Sequence, residues 1–202
     1  IPLNFIRHKY NHYRVKPYIF VDVIRQVGGG IEFLPGPKYG VDFRFGYIHP
    51  YNLWSKVGDR NDNFLANGFS LSITPKLYFT RKSPLYVGAW FSYEYFSYKK
   101  KWADHGISRD TDYKGLKELR DRVTYGITYG ISLGLTKHYG RLSCEYFGAI
   151  GVSGYNSLIT IYDQDFPYTG HITLLRPVTE YYSHYDVNGM LGVKFGLRTY
   201  PM

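Results

Sequence analysis

The sequence predicts an all-β chain: an eight-stranded antiparallel up-and-down transmembrane β-barrel with short periplasmic turns and long extracellular loops. Three observations carry that expectation. The closing stretch Met190–Tyr200 alternates strictly, with Leu191, Val193, Phe195 and Leu197 on one face and Gly192, Lys194, Gly196 and Arg198 on the other. That is the period of a strand and not of a helix. Large apolar residues backed by cations and glycines do not suit a soluble sandwich core, where an unpaired charge is costly; they suit hydrocarbon outside and a packed polar interior. The connections also sort by length, short at 34–39, 81–84 and 138–140 and long at 51–66, 99–121 and 155–187, as at the two ends of an outer-membrane barrel.

Composition agrees. Tyr (23), Gly (22) and Phe (13) are abundant among the 202 residues, which favours strands and aromatic girdles over helices. A single domain of this length can form a sandwich or a small barrel. No run of about 18 apolar residues is present to make a transmembrane helix. The single cysteine, Cys144, excludes an internal disulfide framework and a cysteine-based structural zinc site. A net charge of +9 raises nucleic acid as a partner, but no nucleic-acid motif is present. Basic runs such as Lys99-Lys100-Lys101 fall at strand ends, where they suit lipid phosphates or plain solvation. No signal peptide is visible at Ile1, so localisation to a bacterial outer membrane is read as that of an exported chain whose signal peptide has been removed.

Taken in order, residues 1–16 are basic and aromatic without clean alternation, and are expected to be a periplasmic lead-in ahead of a barrel over 17–202. From Pro17, Ile19, Val21 and Val23 oppose Tyr18, Phe20 and Asp22. Gly28-Gly29-Gly30 permits either a reversal or a bend. Ile31 and Phe33 then oppose Glu32 before the turn Leu34-Pro35-Gly36-Pro37. Whether 17–33 is one strand or two is decided by parity, because an even count closes a bacterial barrel. The third strand, about 40–49, sets Val41, Phe43, Phe45 and Tyr47 against Asp42, Arg44 and Gly46. The fourth sets Phe69, Leu71, Ile73, Leu77 and Phe79 against Ser70, Ser72, Thr74, Lys76 and Tyr78, with a bulge or local edge expected at Pro75.

Val87, Ala89, Phe91, Tyr93 and Tyr95 form one face of the fifth strand. A loop over 99–121 follows, in which 113–122 could hold a helical turn or two. The sixth strand alternates from Tyr125 to Thr136. The seventh has Leu142, Cys144, Tyr146 and Ile150 opposite Ser143, Glu145 and Phe147, and the longest loop, 155–187, leads to the closing strand.

The outward positions of strands three to eight hold no charge, and a charge at the bilayer midplane would cost about 2–4 kcal/mol. Arg25 is the exception if it lies in a strand, and would put 24–29 near the interface. A lipocalin-type barrel reverses the pattern, polar outside with an apolar cavity within. Inward, Asp22, Glu32, Asp42, Glu94 and Glu145 meet Arg44, Lys76, Lys194 and Arg198, an interior network expected to be structural since each buried charge needs partners. A proton or ion path through it is the competing reading.

The stretches Gly30-Ile31-Glu32-Phe33, Pro75-Lys76-Leu77-Tyr78-Phe79, Cys144-Glu145-Tyr146-Phe147-Gly148 and Gly192–Tyr200 resemble the small eight-stranded outer-membrane β-barrel family. That group contains the OmpA transmembrane domain and OmpX, and the likeness is nearest to barrels of Bacteroidota-type bacteria. It covers about 17–200 and implies a fold and a compartment, hardly an activity. The ending departs from the family, which usually finishes on an aromatic residue; here Pro201-Met202 follow Tyr200.

Three candidate sites remain. Ser183, His184 and Asp186 hold the residue types of a serine hydrolase, and some outer-membrane barrels are lipid A acyltransferases or deacylases. Sequence neighbours rarely converge as a triad, however, and the deacylase-like His-Ser-Asn run is absent. Asp59, Asn61 and Asn63 start like a calcium loop, but Phe64 and Ser70 stand at its sixth and twelfth positions, so a polar turn is the simpler reading. Lys99, Lys100, Lys101, Trp102, Tyr162, Phe166 and Tyr168 lie in the expected loops as contact candidates, unless the aromatics only complete the girdle. The expected function is therefore non-enzymatic, a structural or interaction protein without cofactor or metal and a subunit of a larger outer-membrane complex. Its partners would be outer-membrane lipid or lipopolysaccharide and a protein, not nucleic acid. A lipid A-modifying enzyme and a narrow channel are the alternatives.

Overall fold

The computed structural model describes residues 14–23, 26–36, 38–48, 67–79, 84–104, 117–166 and 170–197. Eight strands run in order: β1 (Arg14–Asp22), β2 (Gln26–Leu34), β3 (Tyr39–Ile48), β4 (Asn67–Tyr78), β5 (Leu85–Asp104), β6 (Lys117–Tyr139), β7 (Leu142–Phe166) and β8 (Gly170–Leu197). Each pairs antiparallel with the next, and β8 returns to β1 to close the barrel.

Following paired residues once round gives the stagger. From Leu85 of β5 the ladder passes through Leu135, Tyr146, Val193, Val21, Val27, Tyr47 and Phe69, and returns to β5 at Tyr95, ten residues further on (85 to 95). With a rise of about 3.3 Å per residue and strands about 4.8 Å apart, that stagger over eight strands tilts them by about 40°.

The alternation read in the sequence is the in–out order of the wall. Phe43 (50 %), Leu71 (50 %), Ile131 (60 %) and Phe195 (54 %) are exposed on the outside, while Asp42 (0 %), Lys76 (3 %) and Lys194 (2 %) are buried in the lumen. Outside is apolar and inside is charged, the reverse of a water-soluble barrel.

Several boundaries differ from expectation. The first strand begins at Arg14, ahead of Pro17, which pairs with Ile31. The glycine run lies within β2, where Gly28, Gly29 and Gly30 pair with Phe20, Ile19 and Tyr18, so the chain reverses between Asp22 and Gln26 instead. A Cβ on Gly28 would sit 2.0 Å from the Phe45 carbonyl oxygen and 2.8 Å from the Gly46 Cα, so the wall closes there only without side chains. Pro75 makes no bulge. Pairing of β4 with β5 is interrupted between Ile73 and Lys76, but the same register resumes. Gly140 (φ 61°) supports the two-residue turn between Tyr139 and Leu142.

The largest correction concerns the expected long loops. Residues 99–104 belong to β5, 117–121 to β6, 155–166 to β7 and 170–187 to β8. The stretch read as a helical turn is thus a strand from Lys117 onward, and of the expected longest loop all but 167–169, which lie outside the described residues, is strand. The expected loop 51–66, and Arg25, lie outside the described residues. Strands β5–β8 therefore rise past the described ends of β1–β4 as a half-collar on one side of the rim, the end opposite the reversal between Leu34 and Tyr39 and the turn at 140–141.

Candidate functional site

The lumen is filled in three layers, whose order follows from successive inward positions along each strand. Going up β7 these are Glu145, Phe147, Ala149, Gly151, Ser153 and Tyr155; along β8 they are Lys194, Gly192, Met190 and Asn188.

The lowest layer is ionic. Lys76 Nζ lies 2.7 Å from Glu32 Oε1, 2.9 Å and 3.1 Å from the two oxygens of Glu145, and 3.6 Å from Asp42 Oδ2. Lys194 pairs with Asp42 and, at 2.8 Å, with Glu145. Lys16 pairs with Glu32 and sits 3.6 Å from Glu145. Arg44 Nε lies 3.2 Å from Asp42, its Nη2 donates to Thr74 at 2.9 Å, and its guanidinium sits 4.9 Å from the Phe147 ring centre. Tyrosines complete the shell. Tyr78 donates to Glu32 and Tyr86 to Glu145, each at 2.8 Å, and Tyr18 donates to Asp42. Among the described residues four cations (Lys16, Arg44, Lys76, Lys194) thus face three carboxylates (Glu32, Asp42, Glu145), with Glu145 touching three of the four.

Above it lies an apolar layer of Phe20, Trp90, Phe147 and Met190, continuous with the Tyr18 ring. Trp90 has no exposed surface. The third layer is polar but nearly uncharged. Tyr155 donates to Glu94 at 2.7 Å, Asn188 Nδ2 donates to the Tyr155 oxygen at 2.9 Å and to Thr128 at 3.3 Å, and Thr128 and Ser153 share a hydrogen bond of 2.6 Å.

Of the interior residues singled out in the sequence, Glu32, Asp42, Arg44, Lys76, Glu145 and Lys194 meet in one cluster. Glu94 stands apart in the upper layer, Asp22 Oδ1 accepts the Leu191 N–H at 3.2 Å instead, and Arg198 lies outside the described residues. Lys16 was missed because it precedes Pro17, although the parity Lys16–Tyr18–Phe20 marks it as inward. The tyrosine hydroxyls that hold the carboxylates carry no sequence signal beyond that parity.

The half-collar has a buried inner face. Arg120 donates to Glu118 at 3.1 Å, Arg122 to Thr124 at 3.1 Å and to Ser157 at 3.2 Å, with Ile159 and Ile161 buried beside them. On its outer face Tyr162 donates to Asp121 at 2.9 Å, and Tyr181 and Ser183 donate to Asn156 Oδ1 at 2.6 Å and 3.1 Å. Strand geometry separates the hydrolase-like trio. Ser183 bonds on the outer face, whereas His184 stacks on Tyr155 at the inner face with ring centres 5.4 Å apart, and Asp186 shares that inner parity.

The contact candidates Lys99, Lys100, Lys101 and Trp102 lie on β5, and Tyr162 and Phe166 on β7, not in loops. Tyr168 lies outside the described residues, as do Asp59, Asn61 and Asn63. Among the described residues no three His, Cys, Asp or Glu side chains converge on a metal-sized site, and no helix is long and apolar enough to cross a membrane.

No protein-family model matches the chain, and no curated protein does. Among solved structures the chain is similar to a major outer membrane protein from Thermus thermophilus, at 13 % identity and a TM-score of 0.37, over 92 % of this chain and 98 % of that one. That likeness is one of outline, and the functional reading below stands on the geometry.

Proposed function

We propose that this chain is an integral barrel of a bacterial outer membrane with a non-enzymatic, structural or interaction role, a subunit of a larger assembly that contacts its partners through the β5–β8 collar. The observation that carries the reading is the outer wall. Between Tyr139 and Tyr129 of β6 the outward residues above Lys137 are Leu135, Leu133 and Ile131, all apolar. The ten residue steps from Tyr139 to Tyr129, tilted by about 40°, span about 25 Å, the height of an outer-membrane apolar band, with Lys137 next to Tyr139 at its lower edge. Exposed aromatics bound that band, Tyr39, Phe79 and Tyr139 below and Tyr47, Tyr93, Tyr129 and Tyr185 above, as interfacial girdles do. Burying so wide an apolar belt in hydrocarbon removes the cost of holding it in water.

The lumen supports the non-enzymatic part of the reading. Its charges are engaged with one another, its middle is an apolar layer, and Ser183 does not share a face with His184 and Asp186. What is left open to a partner is the collar, standing clear of the upper girdle. Lipid or lipopolysaccharide would surround the belt, and protein would meet the collar. Fractionation should find the chain in outer membranes, with heat-dependent gel migration. Gentle extraction should retain a partner that Tyr181→Ala or Lys99→Glu releases. A clean monomer on repeated purification would sink the interaction role, and a water-soluble chain would sink the whole reading.

A further inference from the structure

Barrel closure leaves β8 paired unequally on its two sides. β7 accompanies it from Gly170 to Leu197, whereas β1 pairs only with Gly192–Gly196, extended by the Val23 N–H bond to the Leu191 carbonyl at 2.9 Å. On the other side of the collar the described part of β4 begins at Asn67, opposite Ser97, so among the described residues β5 continues from Tyr98 to Asp104 beside β6 alone. Among the described residues the collar is thus a four-stranded open sheet, β5-β6-β7-β8, with two edges. Such edges are templates for further strands unless blunted by bulges, prolines or charges.

The upper part of the β8 edge is blunted. Ile161 pairs with Val178 but Asp163 with Thr173, so Leu174–Pro177 bulge opposite Tyr162 and include Arg176 and Pro177. Below that bulge the ladder is regular, and Val178-Thr179-Glu180-Tyr181-Tyr182-Ser183 contains no proline and no cation. Its one charge is Glu180, and its β-branched and aromatic residues favour strand pairing. The β5 edge, Tyr98–Asp104, shifts register against β6 between Tyr98 and Lys101 and carries Lys99, Lys100 and Lys101 in succession, so it is blunted against a like edge, and a stretch with a carboxylate and no cation is its electrostatic counterpart.

We propose that these two edges pair between copies, β8 of one barrel with β5 of the next, extending the collar sheet from molecule to molecule. This rests on the membrane reading above, which gives every copy the same orientation. β5 ascends toward the collar and β8 descends from it, so side-by-side copies bring β5 against β8 antiparallel. A symmetric β8–β8 contact in one membrane would instead be parallel, with the less stable ladder.

The levels also match. The ladder from Tyr98 through Arg122 and Ile159 reaches Glu180. A stagger of ten over eight strands raises that partner by about four residues across the three steps. The β8 residues level with Tyr98–Asp104 are therefore about 178–184, the regular acidic stretch. Because the two surfaces differ, the contact is heterologous and propagates as a ring or a row.

Cysteine pairing in the full-length chain tests this in a Cys144→Ser background, using outer membranes and then detergent-purified protein. Lys99→Cys mixed with one of Thr179→Cys, Tyr181→Cys or Ser183→Cys should oxidise to a species of twice the monomer mass. Each variant alone should stay monomeric, and both cysteines in one chain should give a ladder. Reversing Lys100 and Lys101 to glutamate in the Lys99→Cys chain should cut the cross-link at least fivefold, and adding Glu180→Lys to the other chain should restore it. No cross-link at any of the three registers overturns the pairing, and so does a dimer from Tyr181→Cys alone, which would mean a symmetric contact. Outer-membrane flotation and heat-dependent mobility are read on every sample. A chain that passes both without cross-linking refutes only the pairing, and one that fails both refutes the membrane reading and takes this proposal with it.

Discussion

The ionic layer makes an asymmetric prediction about its own members. Glu145 is the hub, in contact with Lys16, Lys76, Lys194 and the Tyr86 hydroxyl. Glu145→Gln keeps its shape but leaves four cations facing two carboxylates in a layer shut off from water. Removing one partner of a buried ionic group costs about 3–5 kcal/mol. Lys76→Met, by contrast, brings the layer to three against three. Glu32 keeps Lys16 and the Tyr78 hydroxyl, and Glu145 and Asp42 both keep Lys194. With volume nearly conserved and each carboxylate keeping a cation, that change should cost less, about 1–3 kcal/mol for the hydrogen bonds lost. The two variants should therefore differ by about 2 kcal/mol, with the double variant milder than the sum of the singles because the sites share partners. The assay is urea unfolding of the barrel refolded in detergent, followed by gel migration and compared at equal m. If Lys76→Met destabilises as much as Glu145→Gln, the excess of cations is not what sets the energetics of this layer, and the argument fails.

Three further outcomes follow from the wall and the lumen. Ile131→Lys places a cation in the middle of the apolar belt and should cost about 2–4 kcal/mol in lipid vesicles by urea unfolding; a neutral result would mean that this face does not meet hydrocarbon. Gly28→Ala should destabilise by about 1–3 kcal/mol in the same assay, since its Cβ would meet backbone at 2.0 Å, while Gly29→Ala, whose nearest contact is 3.3 Å, should be close to neutral; equal effects would refute the crowding argument. Trp90→Ala should cost about 3–5 kcal/mol through the cavity it leaves. Combined with Phe147→Ala it should raise conductance in planar bilayers above a silent native chain, and unchanged silence would show that these two rings are not what closes the lumen.

Legibility in the sequence followed the contrast between the two faces of the wall. Where one face meets apolar surroundings and the other lines the lumen, as from Val41 to Tyr47 or Tyr125 to Leu135, side chains alternate in kind, and strand, face and register can be read directly. The interior cluster was legible for the same reason, since charges at inward parity have only the lumen to occupy. Above the girdle this contrast disappears. Tyr155-Asn156-Ser157-Leu158-Ile159-Thr160 is β-branched, aromatic and polar on both sides, and strand looks like loop because the buried inner face is lined with polar partners as the outer face is with polar side chains. The same loss of contrast hid Glu118, Arg120 and Arg122, whose partners come from β6 itself and from β7. At the other end Pro17 concealed Lys16, because a proline reads as a boundary although it is tolerated within a strand where its missing N–H is not required.

That difference between the two halves of the wall also argues for where function resides. A barrel that needed only to sit in its membrane could stop every strand near the upper girdle, as β1–β4 do. Continuing β5–β8 orders many further residues, each at about 1–2 kcal/mol of backbone entropy, and this is offset by the ladders, the arginine contacts on the inner face and the burial of Ile159 and Ile161. Flexible connections would have avoided the ordering cost and left no edges. What the extended strands provide instead is an ordered surface at fixed height, with Glu180 on one edge and Lys99, Lys100 and Lys101 on the other. Order of that kind lowers the cost of association, and the lumen beneath is filled, among the described residues, by three layers of side chains.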